Sequence, residues 1–65
     1  MNETVKQWFR DLYQDAIEES KAAIANERIW QNGAETDEEI AMHEQNIEEL
    51  EEYIELLQDR LEELD

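Results

Sequence analysis

In the second half of the chain, one row of positions recurs in alternating steps of three and four: Ile40, His43, Ile47, Leu50, Ile54, Leu57, Leu61 and Leu64. Seven of the eight are branched aliphatics. That rhythm keeps one stripe of a helix turned toward a neighbour, as in the a/d seam of a coiled coil. Carboxylates fill most of the space between: Glu44, Glu48, Glu49, Glu51, Glu52, Glu55, Asp59, Glu62 and Glu63. The first half repeats the helical period with a broader apolar stripe: Val5, Trp8, Phe9, Leu12, Tyr13, Ala16, Ile17, Ala23, Ile24 and Trp30. This stripe covers nearly half the helix circumference, wider than one seam, and so predicts contact with two neighbours. Glu19, Asn26 and Glu27 fall on or beside it, either at its water-facing edge or as a polar layer that fixes register. Trp8, Phe9 and Trp30 stand at helical spacing and are read as core, with anchors of an interface as the alternative. Tyr53 and Leu56 lie outside the second seam and widen its apolar face.

The boundaries carry local signals. Thr4-x-x-Gln7 fits a capping box that would open the first helix at Thr4. The break falls at Gln31-Asn32-Gly33-Ala34-Glu35-Thr36, with the chain's one glycine and no proline anywhere. Gly33 suits the left-handed C′ position of a Schellman turn, which would bring Ile29 and Ala34 together. Thr36-x-x-Glu39 is a second capping box, and Asp37, Glu38 and Glu39 place negative charge at the new helix's positive end. The expected architecture is all-α: one domain over 1–65, with a first helix of about 4–32, a loop at 33–36 and a second helix of about 37–64. Two helices of near-equal length joined by so short a loop fold as an antiparallel hairpin. The apolar surface left over predicts a homodimer, as a four-helix bundle or coiled coil.

Charge narrows the choice of partner. Twenty acids stand against five bases, a formal net charge of −15. From Met1 to Thr36 the net is −3; from Asp37 to Asp65, with Arg60 the one base, it is −12. Direct binding to DNA, RNA or an anionic membrane is therefore disfavoured, and a basic protein surface is the natural complement. Lys21 and Arg28 could pair with acids on the second helix. The start, Met-Asn-Glu-Thr, has neither the basic nor the apolar region of a signal peptide. No apolar run approaches the ~18 residues of a membrane span. A cytoplasmic location, that of a host cell if the source is a phage, is the resulting expectation.

Catalytic and metal patterns fail on residue type. There is no cysteine, one serine (Ser20) and one histidine (His43). A Glu-x-x-His di-metal motif would need Glu at position 40, where Ile40 stands. No second histidine completes H-E-x-x-H, and no glycine-rich phosphate loop exists. The chain is expected to be neither an enzyme nor a holder of metal or cofactor. Its plan resembles the small RNA-binding hairpin that dimerises in plasmid copy control, but that family uses a basic face and this chain has none. In size, charge and helicity it also resembles the short acidic proteins of phages and mobile elements that block host defence nucleases, DNA-mimic anti-restriction and anti-CRISPR proteins among them. That resemblance implies an inhibitor whose Glu44, Glu48, Glu51, Glu52, Glu55, Asp59 and Glu62 occupy the nucleic-acid groove of a basic protein. Their spacing of three or four residues, about 4.5 to 6 Å along a helix, supports the same expectation. The alternative is a self-assembling or adaptor bundle that recognises its partner through the apolar seam.

Overall fold

The computed structural model describes residues 2–65. Two helices, α1 (Glu3–Asn32) and α2 (Asp37–Leu64), pack against each other as an antiparallel hairpin. Among the described residues there is no strand. The Cα frame measures 51 × 14 × 10 Å, so the molecule is two helices wide and one helix thick.

Each helix starts on a side-chain oxygen. At α1 the cap is Asn2, whose Oδ1 accepts from the Val5 amide at 2.8 Å. This corrects the expected start at Thr4. Asn caps at least as well as Thr, and the earlier start adds residues to the helix. Gln7 does not reach back to a cap; its side chain donates forward to Asp11 at 3.0 Å. At α2, Thr36 Oγ1 accepts from the Glu39 amide at 3.1 Å, and Glu39 Oε2 reaches back to the Glu35 amide at 3.3 Å.

The turn between them is tighter than a Schellman motif. Gly33 has φ −91° and ψ −1°, a right-handed conformation. Its amide is shared between the carbonyls of Ile29 (3.2 Å) and Trp30 (3.1 Å), and the Ala34 amide bonds Gln31 O at 3.2 Å. The expected positive φ is thus overturned, and Ile29 stays 66% exposed. Glycine permits the left-handed region without requiring it, and here shared 3₁₀-type bonds satisfy the last carbonyls instead.

The core is one line of side chains between the helices. Ile17 and Ile24 of α1 and Ile47 and Leu57 of α2 are buried, with Leu50, Ile54, Leu61 and Leu64 half-buried around them. Ile40, at the loop end of the seam, is 40% exposed and lies outside the core. On α1, the row turned toward α2 is Lys6, Arg10, Tyr13, Ile17, Ser20, Ile24, Glu27 and Gln31, each buried or half-buried and stepping strictly by four and three. Five of these eight, Lys6, Arg10, Ser20, Glu27 and Gln31, are polar or charged. Buried Ser20 satisfies its hydroxyl by donating to Ala16 O at 2.8 Å. Ionic contacts clip the hairpin further out. Arg10 binds Asp65 at 2.7 Å near the open end, and Arg28 lies 3.8 Å from Glu51. No helix of the described residues is long and apolar enough to cross a membrane.

Candidate interaction surfaces

Three features stand on this frame: an acidic corner, an uncovered apolar side and a polar layer near the loop. The acidic corner runs along the outer edge of α2 and the flank where Gln31 and Arg28 of α1 reach across. Glu44, Glu48, Glu51, Glu52, Glu55, Asp59 and Glu62 are all exposed there. Glu44 accepts from Gln31 Nε2 at 2.8 Å, and Glu51 is met by Arg28. Among the described residues, Glu48, Glu52, Glu55, Asp59 and Glu62 have no cation within 4 Å. From Glu48 to Glu62 this row is roughly 21 Å long at ~1.5 Å per residue. Taken whole, Asp37 to Asp65 carries 13 carboxylates, about one per ~3.3 Å of helix axis. A single DNA strand carries about one phosphate per ~3.4 Å of duplex axis.

The apolar side lies opposite. On α1, Val5, Trp8, Leu12 and Trp30 are more than a third exposed, Trp8 at 59% and Trp30 at 56%. Val5, Leu12 and Trp30 stand one position from the row that meets α2 and Trp8 two, and with Ala16, Glu19, Ala23 and Asn26 they make a second seam stepping by three and four. On α2, Met42, Tyr53 and Leu56 are about half exposed. They belong to a matching row at 42, 46, 49, 53, 56 and 60. A shallow groove lined by Ala23, Glu27, Asn46, Glu49, Leu50 and Tyr53 joins the two rows, so both lie on the same side of the hairpin. Arg28–Glu51 and Gln31–Glu44 clip the other side. The reading of Trp8 and Trp30 as core is therefore corrected. Phe9 is half-buried, with Trp8 edge-on against it at 5.1 Å and Tyr13 stacked at 6.2 Å.

The polar layer centres on Glu27. Its Oε2 accepts from His43 Nδ1 at 2.6 Å and from Asn46 Nδ2 at 3.3 Å. The side chains of Glu27 and His43 are only 14% and 15% exposed. Of the polar residues on or beside the α1 stripe, Glu27 thus turns inward, while Glu19 and Asn26 are exposed. Trp30 lies 6.2 Å from His43 with its ring tilted by 43°, beside the imidazole and not stacked on it. The partner of His43 was hidden in the sequence because Glu27 is 16 residues away on the other helix. Its one signal was a carboxylate at an inward heptad position. Among the described residues, no three His or carboxylate side chains are grouped to hold a metal ion.

No protein-family model, curated protein or solved structure matches this chain.

Proposed function

We propose that the protein is a non-catalytic inhibitor that occupies the nucleic-acid groove of a basic protein, in the manner of the anti-defence proteins of phages and mobile elements. The observation that carries this reading is the row Glu48, Glu52, Glu55, Asp59 and Glu62, exposed and with no counter-cation within 4 Å among the described residues. Solvated helices ordinarily interleave bases with acids at i+3 and i+4, and like-charge neighbours cost stability. A row kept free of bases offers its whole field to a partner, speeding encounter and selecting against anionic competitors. A DNA- or RNA-binding protein of the cytoplasm, such as a defence nuclease, has the complementary groove.

The test takes a basic nucleic-acid-binding protein captured from host extract and compares the parent chain with the triple variant Glu48→Lys, Glu52→Lys, Glu55→Lys. The expected result is that the parent competes with the target's own DNA or RNA, increasingly so at low salt. The variant keeps its helicity and loses the competition, because attractive contacts become repulsive ones. A variant that binds as tightly as the parent, with nucleic acid bound alongside, would sink the proposal.

The self-assembling or adaptor reading is favoured by a different observation, the uncovered apolar rows. It does not exclude the first, since the two surfaces lie on different sides of α2.

A further inference from the structure

We infer that a second copy of this chain covers the apolar side, with a two-fold axis along the hairpin, so that α1 of each copy lies against α2 of the other. This goes beyond the inhibitor reading and stands on separate observations.

The first is the pattern of the rows. Each steps by three and four, as the seam within the hairpin does, and that rhythm suits a packed helix. The two rows run side by side, so their complement is a pair of antiparallel helices of the same length. Another hairpin of this sequence supplies that pair.

The second is area. The Cα frame alone is 51 × 14 Å in projection, about 700 Å² before side chains are added. A stable interface of standard size buries ~800 Å² per partner. Trp8 and Trp30 on this side are 59% and 56% exposed, aromatic surface of the kind enriched at interfaces.

The third is charge, and it selects the axis. An axis across the hairpin would set α2 beside α2, two segments of net −12 each. An axis along it sets α2 diagonally from α2 and against α1 of the partner, whose half of the chain is only −3. Within the hairpin, Glu27 stands level with His43, and Gln31 with Ile40. Carried along the helices, that register brings Trp30 within about a turn of the partner's level of Met42, Leu12 of Leu56 and Trp8 of Arg60. These are sulfur–aromatic, aliphatic and cation–π pairings. The acidic corners stay on the outside, on opposite sides of the bundle.

The absence of cysteine makes cross-linking clean. Leu12→Cys and Leu56→Cys are prepared as separate chains and oxidised mildly, alone and mixed. Light scattering should give the parent about twice the chain mass of 7.8 kDa. The mixture should form a covalent dimer, and each variant alone should form far less. A parent of single-chain mass at ~100 µM overturns the inference, and so does efficient cross-linking of Leu12→Cys to Ala23→Cys in place of Leu56→Cys, the signature of α1 against α1. Either failure leaves the acidic-groove test untouched, because that test reads competition with nucleic acid and not chain mass.

Discussion

At the scale of single residues, the least expected feature is Glu27. A carboxylate facing the partner helix would be costly if unpaired, but it holds both His43 and Asn46. Truncating it leaves two largely dehydrated donors without an acceptor, which costs about 1 to 3 kcal/mol. Glu27→Ala is therefore expected to lower the urea midpoint clearly. The double change Glu27→Leu, His43→Leu should cost much less, or stabilise, since apolar replacement of a buried pair is often neutral or better. Equal losses in the two variants would show that the layer contributes packing alone.

At the scale of elements, the loop offers a direct check of its geometry. Gly33 is right-handed, and a Cβ placed there would meet only Trp30 O at 3.8 Å and Ile29 O at 3.9 Å, ordinary contacts. Gly33→Ala should then stabilise the hairpin by about 0.4 to 1 kcal/mol by restricting the unfolded chain, seen as a melting temperature several degrees higher. A loss of stability would mean that the turn uses a left-handed glycine after all. The same turn shows what could be read beforehand. Its position was legible because the apolar period broke there and a Thr-x-x-Glu signature followed. Its conformation was not, since glycine allows either hand and the choice rests on which carbonyls compete for two amides. The side of α2 that meets α1 was likewise visible, with branched aliphatics marking it from Ile47 to Leu64. For α1, hydrophobicity misled. The row facing α2 includes Lys6, Arg10, Ser20, Glu27 and Gln31, while Trp8, Leu12 and Trp30 sit one or two positions over. A wide stripe contains two seams, and only the partner decides which one it takes. The acidic corner was legible residue by residue from the same period. What it binds is not written in the pattern, because one row of carboxylates serves solubility and recognition equally well.

At the scale of the whole molecule, the net charge of −15 acts across a body only 14 Å wide. The screening length falls from about 30 Å at 0.01 M salt to about 3 Å at 1 M. At the low end each carboxylate feels most of the others; at the high end it feels less than one helical turn. The melting temperature should therefore climb with sodium chloride over that range. A flat response would show that self-repulsion is negligible in the fold. The thinness has another consequence. No large side chain of the described residues falls below 2% exposure, and four aliphatics, Ile17, Ile24, Ile47 and Leu57, are the buried hydrophobic core. In a globule, most substitutions must be matched by neighbours in three dimensions. In a ribbon one helix thick, a change on the outer corners touches nothing that must repack. Such a chain can exchange most of its letters and keep its shape, provided that the three-four rhythm of one line survives. Its ancestry is then written in rhythm more durably than in residues.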